Sequence, residues 1–149
     1  MGKLTSKLPT VARIFLGLIF FVFGLNGFLH FLPQPPPPPA AGALFGAFVA
    51  SGFMLPLIKG TEVLVGALLL GGRFVPLGLA MLAPITVNIV AFHAFLAPKG
   101  IGLALFVLAL HGYLAWSYRA AYAPMLRARV TPGTEAEPAH EGHTVAATA

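Results

Sequence analysis

Apolar residues run through this chain in four long stretches, separated by short segments rich in proline, glycine or charge. The first stretch runs from Val11 to Leu32, the second from Leu55 to Gly72, the third from Phe74 to Leu96 and the fourth from Ile101 to Tyr122. Each is close to the ~20 residues that a helix needs to cross a hydrocarbon core roughly 30 Å thick. Pro9 stands just before the first stretch, where a helix start tolerates it. The length of that stretch, and Asn26 and His30 in its far half, favour a retained span over a cleaved signal core.

The breaks are equally informative. Pro33 and the run Pro35 to Pro39 cannot continue a helix, and such a run adopts an extended, stiff polyproline form. Ala40 to Met54 is apolar but too short to span. Phe45, Phe48 and Val49 lie there at helical spacing, which predicts a short helix in the interface or dipping back into the bundle. Ser51-Gly52 ends it, and Pro56 suits the first turn of span two. Gly71-Gly72-Arg73 and Pro98-Lys99-Gly100 read as tight turns. Pro84 in mid-span should kink span three and free a carbonyl for a neighbour to satisfy. The predicted fold is therefore all-α: a polytopic membrane protein built as a four-transmembrane-helix bundle, with a short interfacial or re-entrant helix before helix two. Residues 1–123 form the membrane domain. Residues 124–149 lose the apolar pattern and read as a disordered cytoplasmic tail, in which His140 and His143 are solvated and do not form a metal pair.

Composition narrows the class. Hydrophobic residues make up 58% of the 149, charged residues 9%, and the mean hydropathy is +0.88. Soluble domains carry about 25% charged residues, so a soluble globular protein is excluded. The absence of cysteine excludes disulfides, thiolate metal sites and thiol chemistry on this chain. The net charge of +5 forms no basic patch on a soluble fold, so it does not point to nucleic acid. It points to topology. With four spans, seven of the nine basic residues (Lys3, Lys7, Arg13, Arg73, Arg119, Arg127 and Arg129) fall on one side. The positive-inside rule then predicts a multi-pass protein with both termini in the cytoplasm. Trp116, Tyr118 and Tyr122 form the aromatic belt expected at that face.

Polar groups inside the spans carry the candidate chemistry. There is no Asp, and Glu135, Glu137 and Glu141 lie in the tail, so Glu62 is the one carboxylate of the apolar body. At about 1.5 Å per residue, Asn26 and His30 lie roughly 9 and 3 Å below the outer end of span one. Lys59 and Glu62 lie roughly 5 and 10 Å below that of span two, Asn88 and His93 roughly 12 and 5 Å below that of span three. Six polar side chains thus share the outer half of the membrane, a candidate ligand-binding or proton-handling pocket. Asn26 and His30 are four apart and Lys59 and Glu62 three apart, so each pair shares a helix face. Asn88 and His93 are about 140° apart around the helix, and the neighbours of Asn88 favour it as the one facing the pocket. Each Asn or His alone is more readily a hydrogen bond between helices or an interfacial tip, and Lys59 can snorkel. Glu62 is too deep and too short for that. It must pair with Lys59, His30 or an Asn, or be protonated. His111, near mid-membrane, is expected to bond a helix carbonyl near Pro84.

No phosphate loop, dinucleotide fingerprint or hydrolase triad is present. Haem between His30 and His93 is geometrically open but disfavoured, and the spacing predicts no metal site. The stretch Lys59-Gly60-Thr61-Glu62-Val63-Leu64-Val65-Gly66, followed by a leucine run and Gly71, resembles the second-helix signature of DoxX-like membrane proteins. Asn26-Gly27-Phe28-Leu29-His30-Phe31 and the pattern Pro84-Ile85, Asn88-Ile89, Phe92-His93 are similar to a DoxX-like subgroup, and the resemblance covers about Val11 to Tyr122. It implies a four-helix bundle in the cytoplasmic membrane, with some relatives linked to sulfur or quinone redox metabolism. The expected role is a membrane subunit or small-molecule-binding protein whose ligand is quinone- or lipid-like, with the bilayer and a membrane or redox protein as partners. A quinone-linked membrane oxidoreductase and a small-solute carrier stay open as alternatives. No catalytic residue, oligomeric state or partner protein is assigned.

Overall fold

The computed structural model describes residues 7–129. Its helices are α1 (Leu8–Leu29), α2 (Pro39–Ala50), α3 (Met54–Gly71), α4 (Val75–Phe95), α5 (Ile101–Ser117) and α6 (Arg119–Tyr122), with 3-10 turns at Pro98–Gly100 and Ala123–Leu126. No strand occurs among the described residues. Four of these elements are long and apolar enough to cross a membrane: α1, α3, α4, and α5 with its leading 3-10 turn. The chain is thus a multi-pass membrane protein. The predicted tail begins as the turn Ala123–Leu126, and His140 and His143 lie outside the described residues.

Local chemistry explains where the elements stop. α1 ends three residues earlier than the apolar run does. Asn26 bends the chain there: its Oδ1 accepts from the Leu32 N–H at 2.6 Å, while its backbone carbonyl accepts from the His30 N–H at 3.0 Å. His30 itself takes the left-handed conformation, with φ 52°. The prolines then run without helix until Pro39 opens α2, proline being tolerated in a first helical turn. Ser51 links α2 to α3. Its Oγ donates to the Phe48 carbonyl at 2.6 Å and accepts from the Met54 N–H at 3.1 Å. Gly72, with φ 67°, closes α3, and the Arg73 N–H reaches back to the Leu68 carbonyl at 3.1 Å. That is a glycine-dependent helix stop of the Schellman kind. The fourth apolar run is not one helix to Tyr122: it breaks at Tyr118, and Arg119 turns back over the Trp116 ring, 5.0 Å from its centroid.

The long helices form a closed ring in which α1 packs on α3, α3 on α4, α4 on α5 and α5 on α1. Lipid tails are as apolar as leucine, so close packing, not water exclusion, holds such a ring together. The tightest contact is α1 against α3. A Cβ added at Gly66 would lie 2.6 Å from the Phe21 backbone nitrogen, so only glycine permits this approach. The apolar core of Leu16, Phe20, Val65, Leu69, Leu79, Leu82 and Leu114 fills the ring toward one end. That end is also basic. Arg13 Nη1 donates to the Leu69 carbonyl and, at 3.3 Å, to that of Leu70, capping α3. Tyr122 Oη donates to the Pro76 carbonyl at 2.9 Å across the same end. The outward surfaces carry Leu57, Leu64, Leu77, Val87 and Leu103, each more than half exposed, as lipid-facing helices require.

Candidate functional site

α3 carries Lys59 and Glu62 on one face, one turn apart, near the end of the bundle opposite Arg13. Their side chains meet: Lys59 Nζ lies 2.8 Å from Glu62 Oε2. Glu62 is 4% exposed, whereas the Lys59 side chain is 21% exposed. Two glycines of α1 make this burial possible. A Cβ at Gly24 would come 2.9 Å from the Val63 nitrogen and 3.0 Å from Glu62 Cβ. One at Gly27 would strike the Lys59 methylenes, 2.6 Å from Cδ. The ion pair therefore sits in a glycine notch, with the carboxylate sealed and the ammonium open on one side. An ammonium carries three donors, and the carboxylate takes one of them here.

The other four residues of the predicted pocket do not join this pair by a hydrogen bond or ion pair. Asn26 is buried, at 5% exposure, but its amide is engaged with Leu32, by the 2.6 Å bond above and a 3.5 Å bond from Nδ2 to the Leu32 carbonyl. His30 lies past the end of α1 and is exposed, so the shared face expected with Asn26 does not exist. Asn88 is turned outward, contrary to the spacing-based expectation, and donates from Nδ2 to the Pro84 carbonyl of its own helix at 2.9 Å. The flanking Ile85 and Ile89 pack on the core instead. His93 is half-buried. Its Nδ1 donates to the Ile89 carbonyl at 2.8 Å, its ring meets Phe92 edge-on at 5.2 Å, and it packs against Gly100.

A second polar pair was not foreseen. Thr86 Oγ1 of α4 and His111 Nδ1 of α5 lie 2.8 Å apart, and both residues are buried. His111 thus meets the Thr86 hydroxyl, and the backbone of Leu79, on the same helix as Pro84, also lies against it. One signal in the sequence could have found this. Counted from the ends that the Pro98–Gly100 turn joins, Thr86 and His111 lie at roughly 14 and 15 Å along their antiparallel helices, the same depth. The pair floors a groove of about 130 Å³ lined by Ala83, Val87, Leu108 and Gly112. A larger apolar groove of about 330 Å³ lies between α1 and α5 at the basic end, lined by residues including Leu8, Phe15, Phe106 and Tyr113. Neither touches Lys59 or Glu62. Among the described residues, no three His, Asp or Glu side chains gather as a metal site would require.

Comparison of the chain with protein-family models, curated proteins and solved structures finds no match.

Proposed function

We propose that this chain is a DoxX-like protein of the cytoplasmic membrane, with its basic end and both termini in the cytoplasm. In this reading it is a subunit or small-molecule-binding protein, and its ligand is quinone- or lipid-like. The observation that carries the reading is the half-open ion pair near the end of the bundle away from Arg13. Glu62, packed against Gly24, holds Lys59, packed against Gly27, at a fixed position, and the exposed side of the ammonium offers donors to an oxygen arriving through the bilayer. A quinone carbonyl, a lipid ester or a phosphate supplies such an oxygen. In a medium without competing water, a hydrogen bond from a charged donor is strong. The order of the DoxX-like motifs along spans one to three supports the family assignment.

Native mass spectrometry of the protein extracted in mild detergent tests this. The wild-type chain should retain a lipid or quinone, and Glu62→Gln should lose it with helical circular dichroism unchanged. A bare wild-type protein, or a variant that keeps its ligand, refutes the proposal.

A further inference from the structure

The outward face of α4 bears a polar group where the hydrocarbon offers it nothing. Asn88 is exposed and stands roughly 10 Å from the outer end of its helix. Its Nδ2 donates once, to the Pro84 carbonyl at 2.9 Å. A side-chain amide has two N–H donors and an oxygen with two lone pairs. One donor and the Oδ1 acceptor therefore face a region with no water to satisfy them, which is costly.

The exposed residues around it form a pattern. Leu77, Met81, Pro84, Asn88 and Phe95 are all exposed and fall on one stripe of α4 at steps of four, three, four and seven. That is the heptad-like spacing of a helix–helix seam, and one polar residue within such a seam fixes register and partner. The free donor and acceptor of Asn88 are complementary to those of another Asn88. Two copies inserted in the same direction place the two amides at equal depth. A two-fold axis along the membrane normal then lets each N–H meet the other's Oδ1.

The geometry points to a homodimer in which the α4 helices of two copies pack along this stripe, joined by reciprocal Asn88 hydrogen bonds. The native chain has no cysteine, so single cysteines report the interface without background. In liposomes under mild oxidation, Met81→Cys should form a disulfide-linked dimer. Leu105→Cys, 49% exposed on α5, should not. Photobleaching of singly labelled chains should show two steps at moderate protein-to-lipid ratios. Asn88→Ala removes both reciprocal bonds, each worth about three-fold or more in a membrane, and so should weaken dimerisation by about ten-fold or more, and Asn88→Gln should restore part of it. Unchanged circular dichroism would show that the exposed substitution leaves each bundle intact. Single-step bleaching at every ratio, equal cross-linking at both positions, or an unaltered Asn88→Ala dimer would each overturn the inference.

Discussion

Two polar pairs lie within the same ring of helices and are built on opposite plans. Lys59 and Glu62 belong to one helix, carry charge, and are enclosed by backbone that glycine allows to come close. Thr86 and His111 come from different helices, join through a hydrogen bond, and floor an open groove. The first pair depends on its walls, because the Coulomb attraction must offset the desolvation of two ions. The second holds α4 to α5 without needing a seal. On the proposed function the Lys59–Glu62 pair is set for a task while the Thr86–His111 pair serves packing, and graded substitutions can test that division.

The largest effect is expected at the charged pair. Lys59→Met leaves a carboxylate buried without its partner and should cost about 3–5 kcal/mol, read as thermal unfolding in detergent. Adding Glu62→Gln to it should recover most of that loss. A double variant as unstable as the single one would mean that the pair is not isolated from other charges. The walls come next. Gly24→Ala drives a methyl into Val63 and Glu62 and should cost about 1–3 kcal/mol, as overpacking does. Gly112→Ala, beside His111, meets open space and should change stability by under about 0.5 kcal/mol. Equal costs at the two glycines would erase the distinction between sealed and open sites. The hydrogen bond between Thr86 and His111 is expected to be weak as well. A double-mutant cycle on Thr86→Val and His111→Leu should give a coupling of about 0.6 kcal/mol, with roughly 1.7 as the upper bound. A coupling well above that would make Thr86–His111 a peer of Lys59–Glu62.

The spans were legible because hydrocarbon thickness imposes a length on any crossing helix, and the observed ends fall within a few residues of the apolar runs at all but the last. That exception, the break at Tyr118, follows from a turn in which Arg119 finds a carbonyl and an aromatic face, a preference that hydropathy does not encode. Lys59–Glu62 was legible because it is local: a spacing of three fixes the face whatever the rest of the fold does. The facing of Asn88 and of Thr86 was not. α4 is apolar on nearly every side, so its pattern says nothing about which way it turns. His30 was misplaced for a different reason. The Asn26 side chain captures Leu32 and turns the chain before the apolar run is exhausted.

The clasp between Arg13 and the end of α3 bears on how the molecule is made. Every partner in it, and the glycine notch above it, lies within the first 72 residues. A nascent chain that has delivered its first two crossings to the bilayer already holds what it needs to fasten them into a hairpin. The later crossings can then assemble against a finished template, and biogenesis can advance from the N-terminal side without waiting for synthesis to end.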